Sequence, residues 1–119
     1  MKKKAIVNVR IIDPKNNIDQ LGGILINELG QIEKSGPEIT EENVGDIQIF
    51  NCQNKIAIPG LIDSRVFVGE PGFEYKENYR TLSEAALSGG VTSVVTMPNT
   101  DPVIDNVSTL DFIKRRARD

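Results

Sequence analysis

Apolar and polar residues alternate through the first half of the chain in the pattern of β-structure. Runs rich in isoleucine, valine and leucine are separated by segments rich in aspartate, asparagine, glycine and proline, which favour turns. The last two runs are joined by Cys52–Asn54, and this short connection predicts a hairpin. The predicted strands are Ala5–Ile12, Gly23–Asn27, Gln31–Lys34, Ile47–Asn51 and Lys55–Ile58.

The second half alternates between strand and helix patterns. Residues 60–68 and 91–97 predict two strands, and the second is typical of a parallel sheet covered on both faces. A helix that the chain enters at residues 73–75 is predicted to end at Ser88, before two glycines. Ser108, with an aspartate three residues later, is a weak signal for the start of a second helix.

The order of these elements predicts an α/β plus β chain with two domains. Residues 1–56 are predicted to form a small β-sandwich module, and residues 57–119 the first two βα units of a (β/α)8 barrel. A complete barrel takes roughly 250 residues, so we expect an incomplete barrel and a fragment of a longer protein. A free-standing interaction module is the alternative, because two parallel strands leave edges and apolar faces for a partner to cover.

Composition narrows the range of functions. The 119 residues carry a net charge of −3, which gives no reason to expect a nucleic-acid partner. No apolar run approaches the roughly 20 residues of a membrane span. The single cysteine, Cys52, excludes a disulfide within the chain and favours the cytoplasm. The chain has no histidine, so it lacks the commonest metal ligand and the usual general base near neutral pH.

Three motifs of the second half resemble, in the same order, those of the long-chain (class I) dihydroorotases of the amidohydrolase superfamily. Pro59-Gly60-Leu61-Ile62-Asp63 is similar to the start of the first barrel strand in that family. Glu70-Pro71-Gly72 is similar to the loop that follows it, and Met97-Pro98-Asn99-Thr100 to the end of the second strand. The resemblance covers the chain as the N-terminal portion of such a protein. It implies zinc-dependent interconversion of the cyclic amide dihydroorotate and N-carbamoyl-aspartate in pyrimidine biosynthesis.

The resemblance also implies a metal site that this chain does not reproduce. The family's first strand carries two zinc ligands as His-x-His, and the matching positions are Arg65 and Phe67. Arginine has no lone pair to offer, and phenylalanine has no donor atom. The family's substrate-binding arginine matches Gly69, whereas its substrate-contacting asparagine matches Asn99. We therefore expect no catalytic residue, metal ligand or cofactor in this chain, with Asn99 as the one candidate for substrate binding.

The same residues also have simpler structural interpretations. Arg65 is expected to form an ion pair with Asp63 or Glu70, with a position facing a partner subunit as the alternative, and Phe67 is expected to lie in the core. Asn99 is expected either to cap its loop or to retain a contact with substrate.

The leading interpretation is a non-catalytic fragment or inactive homologue of dihydroorotase. Such homologues in the family are structural partners of aspartate carbamoyltransferase, so we expect that enzyme or a second copy of the chain as partner. One alternative is a working dihydroorotase whose ligands lie beyond residue 119. Another is a fragment of a different cyclic amidohydrolase, a hydantoinase or allantoinase, although these share the His-x-His strand.

Overall fold

The computed structural model describes residues 2–118 and divides the chain into two compact units. The first unit ends at Pro59 and the second begins at Gly60, whereas the sequence pattern placed the boundary after residue 56. Within the described residues, neither of the two α-helices has the length and apolar character needed to cross a membrane. Each unit is described by itself below.

The first unit contains one five-stranded sheet. The strand order is β3-β2-β1-β4, and β5 also pairs with β1. The strands β1 and β2 are antiparallel and are joined by a single 3-10 turn at Pro14–Asn16, whose amides the Asp13 carboxylate caps. The strands are β1 (Lys4–Asp13), β2 (Ile18–Ile26), β3 (Ile32–Gly36), β4 (Gln48–Asn51) and β5 (Ile56–Ala57).

The predicted hairpin and the predicted β-sandwich are both wrong. Strands β4 and β5 do not pair with each other; both run parallel to β1, along its first and second halves. The change of partner from β4 to β5 occurs near Asn8, which has a φ of 59° and lies at the irregularity in β1. Because β4 and β5 behave as one interrupted strand, the described strands of this unit form a single sheet rather than the two layers of a sandwich.

The core of the first unit lies on one face of β1. Alternate residues of that strand are buried, as the period of a strand requires. Ala5 and Val7 pack against Ile39 from the loop after β3. Gly23 lies against the carbonyl oxygens of Ile6 and Ile39, so any side chain at this position would overlap them.

The second unit has the predicted order of strand, helix, strand and helix. These elements are β6 (Leu61–Val66), α1 (Tyr79–Ser88), β7 (Val91–Thr96) and α2 (Val107–Arg118). Strands β6 and β7 are parallel, which confirms the predicted pairing. The described residues supply two strands of this sheet, so a closed barrel stays a prediction. The core consists of Val68, Tyr79 and Ile113, with two half-buried side chains packed on it.

Both helices of the second unit begin at asparagine caps that the sequence pattern did not identify. Asn78 accepts a hydrogen bond from the Thr81 amide at 3.0 Å, and the Thr81 hydroxyl accepts one from the Asn78 amide. The helix α1 therefore starts at Tyr79, several residues later than predicted. Asn106 accepts from the Thr109 amide at 2.9 Å, so Ser108 lies inside α2 and the predicted start signal is wrong.

Candidate functional site

The candidate site lies at the C-terminal ends of β6 and β7. Parallel strands bring their carboxyl ends to one edge of the sheet, and α/β proteins place their ligands there. The Met97 amide donates to the Val66 carbonyl at 2.8 Å and extends the pairing beyond the last strand residues. The loops that follow β6 and β7 therefore start side by side.

Arg65 and Phe67 are the positions that match the family's zinc ligands. Arg65 lies in β6, and Phe67 follows the last residue of that strand. The Arg65 side chain is exposed and forms no ion pair within residues 2–118. Its backbone amide donates to the Asp63 carboxylate at 3.1 Å. The predicted ion pair with Asp63 or Glu70 is therefore not formed.

Phe67 is not a core residue of the described structure. Its side chain is 41% exposed, and its ring packs on Phe73 with the ring centroids 6.1 Å apart. Phe73 also contacts Tyr75, and the Lys76 ammonium lies 5.2 Å from the centroid of the Phe73 ring. The loop after β6 therefore carries a partly exposed aromatic group with a cation above it.

Gly69, which matches the family's substrate-binding arginine, has a left-handed backbone with a φ of 81°. Its carbonyl accepts a hydrogen bond from the Phe73 amide at 2.6 Å, which closes a tight turn. L-amino-acid side chains are strained in this conformation, and glycine is not.

Glu70 is the most deeply buried ionisable residue of the site. It is 2% exposed, and both of its carboxylate oxygens accept hydrogen bonds. Oε1 accepts from the Arg116 guanidinium at 2.6 Å and Oε2 from the Tyr79 amide, the first of α1, at 3.0 Å. A buried carboxylate needs such partners, because an unpaired charge is costly in the interior. The sequence pattern suggested Arg65 as a partner of Glu70, whereas the partner in the structure is Arg116.

Tyr79 packs beside Glu70 and is 7% exposed. Its buried hydroxyl has no well-formed hydrogen bond to the described residues, and the Thr96 side chain lies near enough to interact with it. Burial raises the pKa of the Tyr79 phenol, and the negative charge of Glu70 raises it further, while the Thr96 side chain opposes the rise only in part. The phenol is thus held in its neutral form.

Asn99, the predicted substrate-binding residue, lies exposed in the loop after β7. Its side chain forms no hydrogen bond with any described residue. The buried Thr100 hydroxyl instead closes the loop by donating to the Pro102 carbonyl at 2.9 Å. The loop-capping role weighed for Asn99 therefore belongs to its neighbour, and the substrate contact stays a prediction.

Zinc does not fit the residues at the family's first-strand positions. Neither a guanidinium nor a phenyl ring can coordinate a metal ion. Among residues 2–118, no group of three or more histidine, cysteine, aspartate or glutamate side chains is arranged to hold one. The chemistry of these two side chains makes their positions unsuitable for binding zinc.

Comparison with known proteins agrees with the motifs. The model of the dihydro-orotase-like family matches residues 54–119. Dihydroorotase from Ehrlichia chaffeensis is 41% identical over 115 residues, which cover 95% of this chain and 26% of that protein. Dihydroorotase from the Wolbachia of Brugia malayi is 41% identical over 117 residues, covering 97% and 26%. The chain thus spans about a quarter of the length of these curated relatives.

Solved structures show a similar fold. Molinate hydrolase superposes with a TM-score of 0.63 at 24% identity, covering 98% of this chain and 27% of that one. A prolidase superposes with a TM-score of 0.58 at 18% identity, covering 79% and 25%. At these identities the solved structures show only that the fold is similar. Family membership is shown by the family model and the sequence relatives. On that basis, the chain belongs to the dihydro-orotase-like family.

Proposed function

We propose that this chain is a non-catalytic member of the dihydroorotase family, a scaffold that lacks the zinc-dependent ring opening of dihydroorotate. The observation that carries the proposal is the pair Arg65 and Phe67 at the His-x-His positions. Zinc would supply a hydroxide by lowering the pKa of bound water toward about 7. A protonated guanidinium at position 65 would repel the cation, and the ring at position 67 offers it no ligand.

Several observations support a retained scaffold rather than a decayed one. The motif residues that shape the turn after β6 are still present and are used: Glu70 is fully paired, and Gly72 lies where only glycine fits against Asp101. The parallel pairing of β6 and β7 is also intact. In this proposal the protein acts in the cytoplasm, and Asn99 is the one residue retained from the family's substrate contacts.

Zinc content and dihydroorotate hydrolysis, measured on the full-length gene product, test the proposal. We expect no stoichiometric zinc by elemental analysis after gel filtration, and no turnover. The matched variant is Arg65→His combined with Phe67→His, which restores the ligand pair and should increase zinc retention. Stoichiometric zinc with turnover in the unmodified protein would overturn the proposal, because ligands from elsewhere would then build the site.

A second candidate function is that of a structural partner of aspartate carbamoyltransferase, or of a second copy of the chain. The observation that favours a partner is the exposure of apolar side chains along both strands of the second unit. Ile62 of β6 is 70% exposed and Val95 of β7 is 56% exposed. Apolar patches of this kind favour burial against another surface.

A further inference from the structure

Glu70 connects three segments of the second unit that are far apart in sequence. Its backbone belongs to the turn after β6, and its carboxylate accepts from the Tyr79 amide at the start of α1. The other carboxylate oxygen accepts from Arg116 in the last turn of α2, 46 residues further along the chain. This bond of 2.6 Å is charge-assisted; the Arg116 side chain is 48% exposed, whereas the carboxylate that it meets is 2% exposed.

The turn that contains Glu70 packs tightly on the loop after β7. The Asp101 amide donates to the Pro71 carbonyl at 3.0 Å. Gly72 has a φ of 99°, and a side chain there would overlap the Asp101 carbonyl oxygen and Cβ atom. The two loops therefore fit together without space between them, and a displacement of one displaces the other.

The loop after β7 is itself closed by short-range hydrogen bonds. The Thr100 side chain is buried, and its hydroxyl donates to the Pro102 carbonyl at 2.9 Å. The Thr100 amide donates to the Pro98 carbonyl at 2.9 Å. Asn99 lies inside this closed loop, two residues before Asp101. The position of Asn99 is therefore constrained by the position of Asp101.

We propose that Glu70 is a positioning residue, which acts through Pro71 and Asp101 to fix the loop that carries Asn99. Arg116 and the first amide of α1 hold its carboxylate, and the turn transmits that position to the neighbouring loop. Both helices are thereby coupled to the loops that follow β6 and β7, where the candidate site lies. The inference goes beyond the proposed function and does not depend on it, because it concerns the order of a loop rather than a reaction.

Amide hydrogen exchange, followed by residue-resolved NMR on the full-length gene product, tests this inference. Glu70→Gln keeps an acceptor for the Tyr79 amide but places a neutral amide against Arg116, and Arg116→Ala removes the guanidinium. In both variants we expect the Asp101 amide to exchange about tenfold faster or more. The Met97 amide, bonded to the Val66 carbonyl, should keep its rate, and the Asn99 side-chain signals should shift.

Two further variants separate positioning from general stability. Arg116→Lys keeps the positive charge and should recover most of the protection of Asp101. Arg115→Ala removes an exposed basic residue from the same helix and should change neither amide. Unchanged exchange at Asp101 in folded Glu70→Gln and Arg116→Ala proteins would overturn the inference. Equal acceleration at Asp101 and Met97 would also overturn it. If Glu70→Gln does not fold, the Arg116 variants are compared with Glu74→Gln, because Arg116 also interacts with the Glu74 carboxylate; loss of protection at Asp101 in Glu74→Gln would then overturn the inference.

Discussion

Two polar side chains are buried next to each other at the start of α1, and their hydrogen bonding differs. The Glu70 carboxylate has a partner for each oxygen, so its burial is compensated. The Tyr79 hydroxyl has no well-formed hydrogen bond among the described residues and only the Thr96 side chain near it, so its burial is compensated less well. Tyr79 thus contributes to stability near neutral pH mainly through its ring in the core.

Removing that hydroxyl is predicted to be harmless or stabilising. In Tyr79→Phe the ring remains in the core and a poorly paired polar atom is lost, so the free energy of unfolding near neutral pH should be unchanged or rise by about 1 kcal/mol. Urea unfolding followed by circular dichroism measures this change. The exposed Tyr75 gives the matched control, Tyr75→Phe, for which no change is expected. A loss above about 1 kcal/mol would show that the hydroxyl has a stabilising partner.

The raised pKa of Tyr79 also predicts an effect of alkaline pH. A phenol whose pKa is higher in the folded chain than in the unfolded chain contributes stability that is complete below the ordinary tyrosine pKa of about 10. That contribution is lost as the pH rises from there through the folded value. Tyr79→Phe should therefore lose less stability than the unmodified protein above this pH, as measured by the same unfolding experiment. Equal losses would contradict the prediction.

At the scale of elements, the start of α2 depends on one side chain. Asn106→Ala removes the acceptor of the Thr109 amide and is expected to cost about 1 kcal/mol of unfolding free energy. Ser108→Ala is the control, because Ser108 lies inside the helix, where alanine is favoured. Urea unfolding of both variants gives the comparison. A larger loss of unfolding free energy in Ser108→Ala would indicate that Ser108, rather than Asn106, caps the helix.

Local patterns were sufficient to predict some elements and not others. The alternation in β1 and the β-branched run of β7 are local signals, and both strands formed as expected. The pairing of β4 and β5 could not be predicted, because a short connection indicates a hairpin unless a third strand binds both. Here β1 does so, and the positive φ of Asn8 separates the two pairings.

The candidate site could be predicted from sequence only where its residues belong to a motif. Arg65, Phe67, Gly69 and Asn99 were identified because neighbouring motif residues fix their alignment with the family. The partners of Glu70 could not be identified, since Arg116 lies 46 residues away in a helix whose basic end also suits the helix dipole. Ion pairs between distant residues leave no periodic signal in a sequence.

At the scale of the whole molecule, the second unit has an apolar sheet surface that the described residues do not cover. Ile62, which is 70% exposed, gives a direct test of the proposed partner role. Ile62→Lys is expected to weaken self-association, or association with aspartate carbamoyltransferase, because a charged side chain opposes burial there. Sedimentation velocity of the chain alone, and mixed with that enzyme, measures the effect.

The first unit supplies the control for this experiment. Leu21 of β2 is 71% exposed, so Leu21→Lys makes the same change at a position of similar exposure outside the candidate surface. We expect it to leave association unchanged. If both substitutions weaken association equally, the association is nonspecific. A chain that stays monomeric and does not bind the enzyme would contradict the partner role.

The left-handed backbone at Gly69 limits which side chains can be introduced at this position. A mutation that returned arginine to this position would place a side chain where the backbone has a φ of 81°, at a cost of about 1–3 kcal/mol. The turn closed by Phe73 would therefore have to be rebuilt before the substitution became tolerable. Introducing arginine at position 69 by a single substitution is therefore expected to destabilise this turn, and a redesign of the site would need compensating changes around Phe73.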